Sequence, residues 1–312
     1  MIKKVLILAF LAALCIVAYI FTDLGKYPQF VIESRSLTVA ATVAVGVSIA
    51  VSTIIFQTIT QNKILTPSII GLDSLYTMIQ AFLVFVLGSS HLSIYDENVN
   101  FFISTSCMVA FTLLFYKILF KDGRNIYLIL LLGLIFGTFF SSLSLFFEVL
   151  IDPDEFMVVQ GRMFASFNNI NSQVLLLALA FMGICFAFVL KYFKFLDPLS
   201  LDKDICISLG VPYHKLVSRL MIIVAILVSV STALVGPITF LGLLVANISY
   251  EFFRTYKHSI LLTGAAFISI ITLVGGIFIV SRIFSFDTTI SVIINFLGGI
   301  YFIYLVLKGN KL

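Results

Sequence analysis

The chain has 312 residues and a formal net charge of +4, and 61% of its residues are hydrophobic whereas only 11% are charged. Ordinary globular proteins have roughly 45–50% apolar and about 25% charged residues, so a water-soluble fold could not bury this much apolar surface behind so few charges. The composition excludes a secreted disulfide scaffold, a disordered chain and a nucleic-acid-binding protein, and it predicts a polytopic membrane protein.

Ten apolar runs follow one another along the chain, each long enough or nearly long enough to cross a bilayer as a helix. They lie near residues 5–21, 38–60, 68–88, 100–120, 126–150, 173–193, 217–235, 238–252, 259–281 and 289–307. The first follows Lys3-Lys4, and we interpret it as a retained helix rather than a signal peptide. The run from 238 is short and starts at Gly236-Pro237, which predicts a sharp turn and a new helix. We therefore predict a single all-α membrane domain over 1–312 with about ten transmembrane helices.

The basic residues predict the orientation in the membrane. An even number of helices places both termini on one side, and Lys and Arg concentrate in cytoplasmic loops. With cytoplasmic termini, all but four of the 19 basic residues fall in inner segments, and the exceptions are Lys26, Arg35, Arg162 and Arg282. The outer loops carry mainly acidic residues. We therefore predict that both termini are cytoplasmic.

The centres of the predicted helices hold almost no charge. Transporters driven by ion gradients keep ionisable groups at mid-membrane depth, whereas here we expect Asp73 near a cytoplasmic helix end and Glu148 and Arg282 near outer ends. The sequence contains no HExxH, no GxSxG and no cluster of carboxylates, so it offers no candidate catalytic site for a membrane-embedded enzyme. We predict no catalytic residues.

No metal or cofactor site is expected in this chain. The four cysteines are scattered without a CxxC pair, so they predict neither a metal nor a redox centre. The sequence has no GxxxxGK[ST] motif and cannot cradle ATP phosphates in the P-loop manner. If transport is driven by ATP, the energy must come from another polypeptide that docks on the cytoplasmic side.

A cytoplasmic segment at about 195–216 has the pattern of a docking element. Leu201, Ile205 and Leu209 recur at i, i+4 and i+8 and form one apolar stripe on a short helix. Gly210 is expected to end this helix in a left-handed conformation. The pattern leaves two interpretations open, a partner-binding element and an ordinary linker that lies on the membrane surface.

Four stretches of the sequence match the motifs of a known family. They are Leu-Ser-Leu-Asp-Lys-Asp-Ile-Cys-Ile-Ser-Leu-Gly-Val-Pro at 199–212, the segment 57–71 from Gln57 to Gly71, Gly-Pro-Ile-Thr-Phe-Leu-Gly-Leu at 236–243, and the last span with Gly298-Gly299-Ile-Tyr-Phe-Ile-Tyr-Leu. Each alone is a weak signal, but four in order at family spacing are specific and cover nearly the whole chain. The sequence resembles the permease subunits of bacterial ABC importers for iron–siderophore complexes, a family that also includes the vitamin B12 permease.

The sequence departs from the family pattern at several positions. Lys63 stands where the family has the Pro of Asn-Pro-Leu-Ala, Asp202-Lys203 replace Gly-[Asp/Glu], and Ala246-Asn247 stand where Pro-His is usual. Together with Ile-Leu-Thr-Pro-Ser-Ile-Ile-Gly-Leu-Asp-Ser-Leu-Tyr at 64–76, these changes suggest the branch associated with catecholate-type siderophores.

The resemblance implies a function and a set of partners. Family members pair two permeases with two cytoplasmic ATP-binding subunits, which hold ATP and Mg²⁺, and an extracytoplasmic substrate-binding protein delivers the cargo. The chain would then be a multi-pass protein of the bacterial cytoplasmic membrane that contacts lipid, binds no nucleic acid, has no cofactor and forms the translocation pathway by alternating access. Its pattern at 64–68 favours a heterodimer with a second, different permease over a homodimer. The competing interpretation is a secondary transporter or channel that works without an ATPase.

The resemblance also implies roles for individual residues. The set implied to dock into the ATPase is Leu201, Asp204, Ile205, Ser208, Leu209 and Gly210. The set implied to contact the binding protein is Arg35, Thr38 and Arg282, where Thr38 replaces a second family Arg. Snorkelling to lipid headgroups is the alternative for both arginines. The set implied for the gate and pathway is Asn125, Tyr127, Gly133 and Gly137, and the GxxxG spacing of the two glycines also predicts close helix packing.

Overall fold

The computed structural model describes residues 1–68, 71–88, 91, 96–119, 126–167, 170–201, 203–283 and 288–309. Regular structure within these ranges is helical. The helices in chain order are α1 (Ile2–Phe21), α2 (Pro28–Thr60), α3 (Leu72–Leu87), α4 (Glu97–Leu119), α5 (Ile126–Leu150), α6 (Pro153–Met163), α7 (Ser172–Tyr192), α8 (Leu196–Leu199), α9 (Lys203–Ser208), α10 (Tyr213–Val235), α11 (Leu241–Phe253), α12 (His258–Ile283) and α13 (Ile290–Gly309). A 3-10 turn, Phe193–Phe195, joins α7 to α8.

A helix occupies each of the ten places where the sequence predicts a span. Among the residues described, seven helices are long and apolar enough to cross a membrane. The other three, α3, α11 and the Ile290–Leu305 part of α13, are shorter apolar helices. The all-α polytopic fold class is confirmed, whereas ten complete crossings stay a prediction.

Several helix boundaries differ from the prediction, and two of these differences change how the candidate sites are described. α2 begins at Pro28, well before the expected start near 38, because proline suits the first turn of a helix. Arg35, which was predicted to lie just before this span, therefore lies inside α2 together with Thr38. α11 begins at Leu241, and the preceding residues 236–240 form a non-helical segment instead of the start of a helix.

The helix α2 is the centre of the bundle. It packs against α12, α10 and α11, and its inner half is almost entirely buried. Small residues allow the helix backbones to come close together. In lipid, helices associate through van der Waals packing because the hydrophobic effect does not favour their association there. A Cβ added to Gly46 would lie 2.7 Å from Ser269 Oγ of α12, and one added to Gly242 of α11 would overlap Thr53.

The short helices α3 and α11 begin inside the bundle, where their N-termini meet. Residues 61–68 follow the inner end of α2, Gly71 is the N-cap of α3, and residues 236–240 turn back from the outer end of α10 into α11. Thr239 Oγ1 donates to Asp73 Oδ2 at 2.7 Å, which joins the two re-entrant segments. Discontinuous helices of this kind place polar groups and helix N-termini within the membrane.

The contact between α3 and α5 indicates how deep in the membrane the N-termini of α3 and α11 meet. The Cβ position of Gly71 lies 2.6 Å from Gly137 Cα. Gly137 lies near the middle of the 25-residue helix α5, about 16 Å from its inner end at 1.5 Å per residue. The start of α3 therefore lies near mid-membrane depth.

The predicted position of Asp73 near a cytoplasmic helix end is wrong. Its side chain is buried, and it follows Gly71 by two residues at mid-depth. Hydropathy does not distinguish a helix that starts at the membrane surface from one that starts after a re-entrant segment, because both give one apolar run. The interior of this protein thus contains a carboxyl group that the sequence pattern places elsewhere.

Candidate functional site

The cytoplasmic segment at about 195–216 contains two short helices, as expected of a docking element. Helices α8 and α9 lie between the inner ends of α7 and α10. Gly210 has a φ of +79°, the left-handed conformation predicted for the residue that ends the second of them. Residues with a Cβ adopt this conformation at a cost of roughly 1–2 kcal/mol.

The predicted apolar stripe lies on the protein surface. Leu201, Ile205 and Leu209 are 42%, 51% and 60% exposed, whereas Cys206 and Val211 are buried. One side of the segment is therefore packed into the protein, and the other presents a row of apolar side chains. Exposed apolar anchors at i, i+4 and i+8 on a fixed element are typical of helix-in-groove recognition.

The polar members of the implied docking set flank this stripe. Asp204 and Ser208 are both exposed, and the Ser208 hydroxyl donates to the Asp204 carbonyl oxygen at 2.8 Å. Burial raises the pKa of the Cys206 thiol between them, so this cysteine behaves as a small apolar anchor. The surface thus combines an apolar row with the exposed carboxylate of Asp204.

Hydrogen bonds tie the segment to the inner ends of two membrane helices. Gln61 Nε2, at the end of α2, donates to the Leu201 carbonyl oxygen at 2.7 Å. Asp197 Oδ1 accepts from the backbone N–H of His258 at 2.8 Å and from Nδ1 of the same residue at 2.7 Å. The segment is therefore attached to both α2 and α12.

On the outer side, Arg35 caps the end of α1. Its Nη1 donates to the carbonyl oxygens of Tyr19 and Thr22 at 3.1 and 2.6 Å, and its Nη2 to that of Asp23 at 3.3 Å. These are carbonyl groups that a helix C-terminus leaves without intrahelical partners. The guanidinium holds α1 against α2, a role that neither the docking nor the snorkelling interpretation predicts.

Arg282, from the outer end of α12, reaches the same turn. Its Nη1 donates to Asp23 Oδ2 at 2.6 Å and its Nη2 to the Thr22 carbonyl oxygen at 2.7 Å. This guanidinium holds the pKa of the Asp23 carboxyl below its usual range, so the ion pair is formed at neutral pH. The structure thus brings Arg35 and Arg282 together around one turn.

Thr38 is the buried member of this group. Its side chain is 5% exposed, and its Oγ1 donates to the Phe167 carbonyl oxygen at 3.0 Å. Arg35, Thr38 and Arg282 line an open cavity of about 540 Å³. The two arginines therefore lie at the rim of this cavity, while Thr38 lies beneath them.

The Asp23–Arg282 pair predicts how the α1–α2 turn responds to acid. A lowered pKa in the folded protein stabilises the turn above the ordinary carboxyl pKa of about 4, and this contribution is lost as the pH falls through the folded value. A spin label at Lys26→Cys should have the same mobility at pH 8 and pH 6 and become more mobile below about pH 4. With Arg282→Gln the label should be mobile at every pH, and an unchanged profile would contradict the assignment.

The structure describes only part of the implied gate and pathway set. Asn125 lies outside the described residues, and Tyr127 lies in the first turn of α5 with a side chain outside the description. Gly133 and Gly137 lie on the α5 face that packs against the re-entrant segment, where the Gly133 carbonyl oxygen is 3.4 Å from the Cβ position of Gly71. The GxxxG motif thus contacts the N-cap of α3, and α3 itself packs against α5.

Three further features were not predicted from the sequence. They are the Asp73–Thr239 contact, the Gly71–Gly137 contact and the bridge that His258 makes to Asp197. A lone histidine at a helix start carries no distinguishing pattern. Turn residues before a short apolar run, as at Pro67-Ser68 and Gly236-Pro237, were the signal that could have indicated both re-entrant segments.

Comparison with known proteins places the chain in a family. Residues 4–308 match the FecCD transport family. The chain is 55% identical over 309 residues to the petrobactin import system permease protein YclO of Bacillus subtilis (strain 168), with 99% of this chain and 98% of that protein covered. It is 37% identical over 288 residues to the petrobactin import system permease protein FatC of Bacillus anthracis, with 91% and 81% covered.

A more distant relative and a solved structure are also similar. The petrobactin import system permease protein YclN of Bacillus subtilis (strain 168) is 24% identical over 304 residues, with 92% of this chain and 89% of that protein covered. A structure described as a metal-chelate type ABC transporter in an inward-facing conformation has a TM-score of 0.82 at 21% identity and covers 98% of this chain and 99% of its own, which supports the fold. Because the family match spans nearly the whole sequence, the chain belongs to the FecCD transport family and is a membrane-embedded transport permease subunit.

Proposed function

We propose that this chain is the permease subunit of an ATP-driven importer of iron–siderophore complexes in the bacterial cytoplasmic membrane, with petrobactin or a similar iron chelate as its cargo. The observation that carries the proposal is the 55% identity, over 99% of the chain, to a petrobactin import system permease protein. The exposed stripe of Leu201, Ile205 and Leu209 supports it, because a permease powered by a separate ATPase needs a cytoplasmic docking surface.

The proposed mechanism is alternating access without covalent chemistry in this chain. A partner ATPase binds ATP and Mg²⁺, and its closure moves the segment at 195–216 as a rigid body. An extracytoplasmic binding protein docks at the outer rim, where Arg35 and Arg282 supply positive charge. Charges at such a rim mainly affect the rate of association.

The second permease in the assembly is proposed to be a different chain. Bacillus subtilis (strain 168) has two proteins described as petrobactin import system permease proteins, and this chain is 55% identical to one and 24% identical to the other. A pair of diverged permeases is expected where two different chains share one pathway. The pattern at 64–68 favours the same arrangement.

A secondary transporter is the second candidate, and the position of Asp73 is the observation that favours it. A buried carboxyl near mid-depth is the kind of group that binds a coupling ion. However, Asp73 accepts a hydrogen bond from Thr239, so it has a structural partner that holds the two re-entrant segments together. This candidate predicts uptake that an ionophore abolishes and that needs no ATPase.

Gentle purification of a tagged copy from native membranes tests the proposal. A co-purifying P-loop ATPase together with a second, different permease is the expected result. Co-purification of an ATPase without a second permease would refute the heterodimer but would still agree with the proposed ATP-driven importer. Absence of any ATPase, under conditions that hold known importers together, would favour the secondary transporter.

Arg35→Glu should weaken capture of the binding protein. We expect uptake to fall several-fold when the binding protein is limiting and to recover when it is saturating, because a rim charge acts mainly on association. Lys26 is an exposed cation in the turn between α1 and α2. Lys26→Glu is the matched control and should change uptake little. Equal uptake by Arg35→Glu and the native protein at limiting binding protein would refute the docking role. A loss of uptake that persists at saturating binding protein would mean that Arg35 caps α1 and does not dock the binding protein.

A further inference from the structure

His258 bridges the cytoplasmic segment and the central helix of the bundle. Its Nδ1 donates to Asp197 Oδ1 at 2.7 Å, and its Nε2 lies 2.8 Å from Thr58 Oγ1. Asp197 belongs to α8, Thr58 to the last turn of α2, and His258 itself begins α12. One imidazole therefore joins three elements that are far apart in the sequence.

Burial makes this bridge stiff. The side chains of His258 and Thr58 are 3% and 7% exposed, whereas the Asp197 side chain is about half exposed. The acceptor on Nδ1 fixes the orientation of the imidazole ring, and the backbone N–H of His258 donates to the same carboxylate oxygen. A movement of Asp197 at the surface cannot leave the buried ring in place without breaking hydrogen bonds.

A second tie runs parallel to the first. Gln61 Nε2 donates to the Leu201 carbonyl oxygen, so the inner end of α2 is attached to the segment at both 58 and 61. Residues 62–68 follow Gln61, and Gly71, the N-cap of α3, lies against Gly137 of α5. Contacts therefore fix both ends of the stretch that leads from the docking surface to the middle of α5.

We propose that His258 is a positioning residue that transmits the movement of the cytoplasmic segment to α2 and α12 and thereby couples ATP hydrolysis to transport. This inference rests on the proposed function, since it requires a partner ATPase. It assigns His258, Asp197 and Thr58 to transmission and not to docking, because the ring and the threonine are buried away from the exposed stripe. Loss of the bridge should therefore leave the ATPase bound and active while transport fails.

The test measures cargo imported per ATP hydrolysed in vesicles that contain the complete importer and its binding protein. For His258→Leu we expect the complex to assemble and to hydrolyse ATP at half the native rate or more, while import falls at least ten-fold. Thr58→Val keeps the shape of the buried side chain and removes the hydroxyl that contacts both His258 Nε2 and the Ile54 carbonyl oxygen, and import per ATP should fall several-fold. Lys257→Leu, an exposed neighbour in the same turn, is the matched control and should leave the ratio unchanged.

Two results would overturn the inference. One is a native ratio of import to hydrolysis in both His258→Leu and Thr58→Val. The other is a loss of import and hydrolysis in equal proportion, in step with the amount of assembled complex, which would make the bridge merely structural. If the native complex shows no ATP-driven import in the same vesicles, the proposed function fails independently of His258.

Discussion

Replacing Leu209 and Gly210 with aspartate is expected to abolish uptake of the iron chelate while the protein stays inserted in the membrane. Leu209 is the most exposed member of the apolar stripe, and a carboxylate in its place would be buried without a partner when the ATPase docks. Burial of an unpaired charge costs several kcal/mol, and about 2.7 kcal/mol already corresponds to a 100-fold loss of affinity. Aspartate at position 210 adds strain, because its φ there is +79°.

The location of these residues makes the result specific. The Leu209 side chain is exposed and nothing lies within 4 Å of the Gly210 Cβ position, so the double variant should reach the membrane at the native level and lose the co-purifying ATPase. Leu209→Met is the matched control, since it keeps an apolar side chain of similar size, and its uptake should be close to native. Normal uptake by the double variant would refute the docking role of the stripe. The result also separates docking from transmission, because His258→Leu should keep the ATPase bound.

The docking surface could be predicted from the sequence because it is local. Leu201, Ile205, Leu209 and Gly210 lie within ten positions, and helical periodicity alone puts the three apolar side chains on one face. In the structure the three side chains are exposed and Cys206 is buried, but helix α9 spans only Lys203–Ser208, so Leu201 and Leu209 lie just outside its two ends. The ten apolar runs were likewise predictable, since a separate helix lies at the position of each run.

The interior of the bundle could not be predicted in this way because its contacts are distant in sequence. Asp73 meets Thr239, and Thr58 meets His258, over separations of 166 and 200 residues. The periodicity of hydrophobic residues within one helix gives no information about such distant pairs. Hydropathy also merges a re-entrant segment with the apolar helix that follows it. Arg35 shows the same limit on the outer side, since the carbonyl groups it contacts belong to the end of the preceding helix and to the turn that follows it.

Gly71→Ala is expected to have the largest effect of any single methyl addition in the described part of the chain. Gly71 has a φ of +94°, and its Cβ would lie 2.6 Å from Gly137 Cα and 2.8 Å from Gly137 N. These are backbone atoms, so no side-chain rotation relieves the overlap and α5 must move. Left-handed strain of about 1–2 kcal/mol and overpacking of about 1–3 kcal/mol together predict a loss of about 2–5 kcal/mol. We expect a markedly lower melting temperature of the purified protein and little or no uptake.

Gly25→Ala separates the two causes, because Gly25 also has a positive φ, +61°, but has nothing within 4 Å of its Cβ position. It should show the strain alone and retain uptake. Gly137→Ala places a Cβ 3.2 Å from Gly71 Cα in an ordinary helical conformation, and its effect should lie between the other two. If Gly71→Ala and Gly25→Ala lower the melting temperature equally, α5 moves away at no cost. The re-entrant segment would then not be clamped to α5, and a displacement of α2 would have no rigid route to the middle of that helix.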